Sequence, residues 1–126
     1  MCNRQTIFCY GANRAGRHGK GSALEAKLRW GAKQGITEFH GNSYGICTKA
    51  TPYQTLSLAE IANEVSKFIE FVNEHPEYTY NIVRVGCGLA GYKDTEIAPL
   101  FLPLAEKENC RFDPVWQQIF KDYLNE

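Results

Sequence analysis

The sequence lacks most of what would carry a protein out of an aqueous, reducing compartment. No apolar run approaches the roughly 20 residues that span a bilayer, and residues 1–17 (MCNRQTIFCYGANRAGR) lack the charged-then-apolar layout of a secretion signal. A cytoplasmic protein without membrane contact is therefore expected. Net charge is missing too: fourteen Lys+Arg balance fourteen Asp+Glu, which removes the long-range attraction used in sequence-independent nucleic-acid binding. The five cysteines, Cys2, Cys9, Cys47, Cys87 and Cys110, are odd in number and include no CxxC. They cannot pair completely and do not form a zinc knuckle. No metal and no separate cofactor is called for. At 126 residues there is room for one domain of ordinary size, 1–126, and none for a second.

Common catalytic signatures are also absent. There is no GxSxG, no histidine pair at i, i+4, and His18, His40 and His75 are scattered. Gly11 and Gly16 have Walker A spacing, but Arg17-His18 follow where Lys-Ser/Thr is required. GCGLAG (86–91) satisfies GxGxxG, yet Pro99 interrupts the helix that a dinucleotide fingerprint needs, and only 35 residues follow it. Cys87, between two glycines, has no neighbouring base in sequence to make it a thiolate, and a small buried residue is the plainer reading.

The charge is unevenly spread. Residues 1–35 carry seven basic side chains against one acidic, net +6, and the remainder is net −6; eight of the eleven glycines fall in the first 45 residues. A glycine-rich, basic beginning suits backbone exposed to an anion, although a solvated basic helix face would look similar. TIFCY (6–10) reads as a strand that empties into the loop 12–22, followed by a short helix ended at Gly35. YGICT (44–48) reads as a second strand ending at Lys49. Ser57 and Glu60 then form a capping box, with Leu56 and Ile61 at staple positions. Leu58, Ile61, Val65, Phe68, Ile69 and Val72 repeat at helical spacing before Pro76. YNIVRV (80–85) reads as a third strand that meets the loop 86–91. A short helix limited by Pro103 follows, and Asp113-Pro114 opens a last helix with Trp116, Ile119, Phe120, Tyr123 and Leu124 on one face. Alternating strands and helices predict an α/β fold of three layers: a mixed, mostly parallel sheet flanked by helices, with ligands at the carboxyl ends of the strands. Two glycine loops leaving such ends can meet over one crevice and offer backbone N–H groups to two phosphates.

Three stretches, IFCYGANRAGRHGKGSALEAKLRWGA (7–32), YGICTKATP (44–52) and IVRVGCGLAGYK (82–93), together resemble the macro domains, including compact phage-type members. That resemblance implies a macro-like fold that binds ADP-ribose or a related NAD-derived nucleotide, with an ADP-ribosylated macromolecule as a further partner. It places Asn13 near the distal ribose, Gly19, Lys20 and Gly21 beside one phosphate, and Gly86, Cys87, Gly88, Leu89, Ala90 and Gly91 beside the other. Tyr92 would pack on the distal ribose, with Gly11 and Thr48 at the adjoining strand ends. Lys49 matches the lysine that one hydrolase branch uses as a nucleophile, and an ADP-ribosyl hydrolase working through Lys49 and Asn13 is the alternative reading; a phosphate contact by Lys49 is the plainer one. A phage or host accessory protein that binds a protein partner is a second alternative. The chain departs from the hydrolases where they carry aspartates: Ala90 stands at one such place and Ser22-Ala23 at the other. The Gly-Asp pair whose aspartate selects adenine is also missing.

Overall fold

A computed structural model describes residues 5–19, 21–51, 53–88 and 90–125. Six strands form one sheet: β1 (Thr6–Asn13), β2 (Glu38–His40), β3 (Ser43–Thr51), β4 (Gln54–Thr55), β5 (Thr79–Ile82) and β6 (Cys110–Phe112). Their order is β2-β3-β1-β5-β6, with β4 paired to β3. The pairings β1 with β3, β1 with β5 and β5 with β6 are parallel, and the two short hairpin partners β2 and β4 run antiparallel to β3. The expected mixed, mostly parallel sheet is therefore present.

The described residues also form the helices α1 (Gly21–Arg29), α2 (Leu58–Glu74), α3 (Asp94–Ile97) and α4 (Pro114–Leu124), with a 3₁₀ segment, Ala98–Leu104, continuing α3. From β1 the chain steps to β3 on one side through α1, and from β3 it crosses β1 to β5 through α2. Right-handed crossovers taken in opposite directions put their helices on opposite faces. The side chains agree. Phe8, pointing one way from β1, stacks on Trp30 just past α1 with ring centroids 5.3 Å apart. On the other face Tyr44 meets Phe68 of α2 at 4.9 Å, and Tyr80 meets Phe68 at 5.9 Å. The second face continues over β6, where Phe112, Phe101 of the 3₁₀ segment and Trp116 of α4 pack together.

α2 starts as its sequence dictates. The Ser57 hydroxyl accepts the Glu60 N–H at 3.2 Å and the Glu60 carboxylate accepts the Ser57 N–H at 3.0 Å, while the staple residues Leu56 and Ile61 are buried. Ile61, Val65, Phe68 and Val72 form its inner face, but Leu58 stays 37% exposed. Other expectations are corrected. β1 runs on to Asn13, and β5 ends at Ile82; the Val83 N–H makes a last bond to the Cys9 carbonyl at 3.1 Å before the Val85 N–H turns back to the Val83 carbonyl at 2.7 Å. α1 ends at Arg29, because Gly31 takes φ +77° and the Ala32 N–H turns back to the Ala26 carbonyl at 3.1 Å. Of the residues expected on one face of α4, Trp116 and Phe120 are buried, while Tyr123 and Leu124 are about half exposed. Among the described residues no helix is long and apolar enough to cross a membrane.

Candidate functional site

β1 lies between β3 and β5, and the chain leaves it in opposite directions, so the sheet has its switch point at the carboxyl end of β1. An open α/β sheet has its crevice there. A cleft of about 820 Å³ opens at this point, bounded by the ends of β1 and β3, the first loop with the start of α1, the β3–β4 hairpin and the second loop. Gly11 lies where β1, β3 and the second loop meet: a Cβ there would make ordinary contacts with Thr48 Oγ1 at 3.6 Å and the Gly86 nitrogen at 3.8 Å.

The first loop is held from both ends. The Asn13 side chain donates to the Arg17 carbonyl at 2.9 Å and accepts the Arg17 N–H at 3.1 Å, so both halves of its amide are engaged in the loop. Gly16 has φ +72° and packs so close to Gly35 that a Cβ would lie 2.6 Å from its backbone; the Gly35 N–H donates to the Gly16 carbonyl at 2.7 Å. His18 is buried, with Nε2 2.9 Å from the Tyr10 hydroxyl, and its N–H donates to Gln34 Oε1 at 3.0 Å. Burial holds its imidazole below the ordinary histidine value, which keeps it neutral near pH 7. Ser22, in the first turn of α1, accepts the Gly11 N–H at 3.3 Å. α1 thus presents its N-terminal end, the positive end of its dipole, to the cleft.

The second loop is closed by backbone bonds from Tyr92 N–H to the Gly86 carbonyl, 2.9 Å, and from Gly91 N–H to the Gly88 carbonyl, 3.0 Å. It is tied to the β3–β4 hairpin by the Thr55 hydroxyl, which donates to the Ala90 carbonyl at 3.3 Å. A Cβ on Gly88 or Gly19 would meet no atom within 4 Å, so each faces open space on its own loop. Arg84 reaches the cleft from the loop's base, held by two bonds to Asp94 at 2.8 and 2.6 Å. Trp116 Nε1 donates to the same carboxylate at 2.7 Å. Hydrogen bonds from Arg84 hold Asp94 down at about 2, whereas burial pushes the Cys87 thiol up to about 12.

Of the residues singled out in the sequence, Gly11, Asn13, Gly19, Gly21, Thr48, Lys49, Gly86, Gly88 and Ala90 line the cleft. Cys87, Gly91 and Tyr92 do not. Cys87 is directed toward the Val85 carbonyl, 3.6 Å away. Tyr92 donates its hydroxyl to the Leu56 carbonyl at 2.6 Å, joining the loop to the start of α2. Lys20 and Leu89 lie outside the described residues. The cleft adds residues that the sequence did not single out, among them Arg17, Lys27, Tyr53 and Arg84. Runs of basic residues and the end of a strand held the signal for three of these; nothing local distinguished Tyr53.

The electrostatics of the lining are one-sided. Arg17, Lys27, Lys49 and Arg84 contribute four basic side chains, and among the described residues no aspartate or glutamate lines the cleft. A lining of this kind favours an anion. No group of three or more His, Cys, Asp or Glu among the described residues is arranged to hold a metal ion.

No protein-family model matches this chain, and no curated protein matches it. Among solved structures it is similar to one titled "Alphavirus P23pro-zbd", at 20% identity and a TM-score of 0.56, over 98% of this chain and 22% of that one. The chain therefore corresponds to about a fifth of that protein's length, and the likeness is one of fold.

Proposed function

We propose that the protein binds ADP-ribose, or a related NAD-derived nucleotide, through a macro-like arrangement of its two glycine loops. The observation that carries this reading is the cleft at the sheet's switch point, lined by open glycine backbone from both loops and by the basic residues Arg17, Lys27, Lys49 and Arg84. Two loops that each offer backbone donors suit the two phosphates of a diphosphate, and the end of α1 adds a favourable field for negative charge. The resemblance of residues 7–32, 44–52 and 82–93 to macro domains supplies the nucleotide class.

Binding is favoured over hydrolysis by the two positions where the resembling hydrolases carry aspartates. Ala23 and Ala90 both line the cleft, so methyl groups stand where a catalytic acid would be needed. The amide of Asn13 is engaged by Arg17. A protein-partner role without nucleotide is less well served by so open and basic a cleft.

Titration calorimetry tests the proposal. ADP-ribose is expected to bind at least about tenfold tighter than AMP, a difference of about 1.4 kcal/mol. Gly88→Val should abolish binding while preserving the fold, since its side chain would project into open space. Equal affinities for ADP-ribose and AMP would remove the two-loop reading.

A further inference from the structure

Arg84 is a cation whose charge is already answered but whose donors are not used up. Its Nε donates to Asp94 Oδ1 at 2.8 Å and its Nη2 donates to Asp94 Oδ2 at 2.6 Å, so the carboxylate occupies one edge of the planar guanidinium. A guanidinium carries N–H donors in a fixed fork along two such edges. The second edge, formed by Nη1 and the remaining N–H of Nη2, has the spacing to hold two oxygens of another oxyanion. Among the described residues no other hydrogen bond takes it. Arg84 lines the cleft, whereas Asp94 lines a separate surface groove with Lys93, Val115 and Ile119. The pair thus spans two surfaces, with the arginine on the side of the cleft.

The carboxylate is itself held. Asp94 Oδ1 also accepts the Trp116 Nε1 proton at 2.7 Å, and Trp116 is fully buried against Phe101 and Phe112. An arginine normally gives up rotamer freedom when it closes on a ligand; here hydrogen bonds to an anchored partner impose that order beforehand. Asp94 also offsets the guanidinium charge, and Asp113 adds a second negative charge nearby. Arg84 therefore contributes directed hydrogen bonds rather than net attraction.

From these placements we infer that Arg84 is a bidentate clamp for the phosphate beside the second loop, with Asp94 as its positioning residue. The inference rests on the nucleotide reading of the cleft and deepens it: the loops supply backbone N–H groups, and Arg84 adds a side-chain fork at the base of the second. A lysine at this position would keep the charge and lose the fork, because an ammonium is a point charge.

The test is calorimetric titration with ADP-ribose, and with inorganic pyrophosphate as its competitor. The proteins compared are the wild type, Arg84→Lys, Arg84→Gln, Asp94→Asn and the variant carrying both Arg84→Gln and Asp94→Asn. Arg84→Lys should lose about tenfold in ADP-ribose affinity, nearly as much as Arg84→Gln, and pyrophosphate affinity should fall by the same factor. Asp94→Asn should weaken ADP-ribose about threefold and add nothing in the Arg84→Gln background, since a positioning residue acts only through its partner. Wild-type affinity in Arg84→Lys overturns the clamp. A loss confined to ADP-ribose, or pyrophosphate that fails to displace ADP-ribose from the wild type, overturns the phosphate assignment. An Asp94→Asn loss that persists undiminished beside Arg84→Gln overturns the positioning role. A wild type that binds ADP-ribose while Arg84→Lys is silent leaves the nucleotide reading standing and removes only the clamp. A wild type that does not bind ADP-ribose removes both.

Discussion

Asp94 lies just past the second glycine loop, where sequence proximity alone would let an acid serve the cleft. Its carboxylate instead accepts two bonds from Arg84 and one from Trp116, and it is absent from the cleft lining. It acts by aiming Arg84 and by satisfying a buried indole N–H. Replacing Asp94 with Ala leaves the Trp116 donor without its acceptor, a loss worth about 1–3 kcal/mol. The freed guanidinium of Arg84 is half exposed and can rehydrate. The contribution is pH-dependent in a fixed sense, because the folded carboxyl titrates at about 2 and its ordinary value is 3.8. Its stabilisation is fully present above about pH 4 and is lost as pH falls through about 2. The gap in urea midpoint between wild type and Asp94→Ala should therefore be constant from pH 5 to 7 and close progressively below pH 4. A gap that widens on acidification would contradict this role. Nothing local in the sequence marks a tryptophan 22 residues away as the second donor to Asp94.

At the level of elements, what could be read from the sequence follows the length and local determinism of each piece. α2 has its cap, staple and 3.6-residue period written in consecutive residues, and it was legible almost to the residue. β2, β4 and β6 have three, two and three residues, too few for alternation to show. They exist because β3 and β5 offer unpaired edges to whatever segment passes. The glycine loops were legible as loops, but their bracing was not: the contact of Gly16 with Gly35 joins residues that no local pattern connects. Two substitutions separate these cases. Ser57→Ala removes one cap of α2 and should lower stability by about 1 kcal/mol without changing ADP-ribose affinity. Gly16→Ala must overcome both a φ of +72° and a Cβ 2.6 Å from the Gly35 backbone, so the first loop shifts and ADP-ribose affinity should fall well over tenfold. Chemical denaturation and calorimetry on the same two variants measure the contrast, and equal losses of affinity would show that the Gly16 contact does not shape the cleft.

Across the whole molecule, a net charge of zero conceals a separation that the fold turns to use. The basic first 35 residues supply β1, the first loop and α1, and so form one wall of the cleft. Of the thirteen acidic residues that follow residue 35, none among those described lines it. In the proposed reading, the separation that favours a diphosphate also leaves the described lining without an aspartate or glutamate to assist cleavage of a ribosyl bond. Hydrolysis needs a base to activate water, or an activated nucleophile together with an acid for the leaving group, and each positioned group contributes about 10²–10⁴-fold. Lys49 stands near the end of β3 in the lining, and Ala23 of α1 and Ala90 of the second loop, at the positions where the resembling hydrolases carry aspartates, line the same cleft. Lys49→Ala is accordingly expected to weaken ADP-ribose binding by about 1–3 kcal/mol, as for a hydrogen bond to a charged group. Borohydride should trap no lysine-ribose adduct in the wild type. Incubation of an ADP-ribosylated protein or DNA with stoichiometric protein should release no ADP-ribose above the uncatalysed rate. Ala90→Asp places a carboxylate on the second loop, in the lining that Lys49 shares, and is the variant in which turnover would first emerge. Turnover by the wild type, together with a borohydride adduct mapped to Lys49 by mass spectrometry, would establish that the lysine works without a loop carboxylate and that the cleft is an active site.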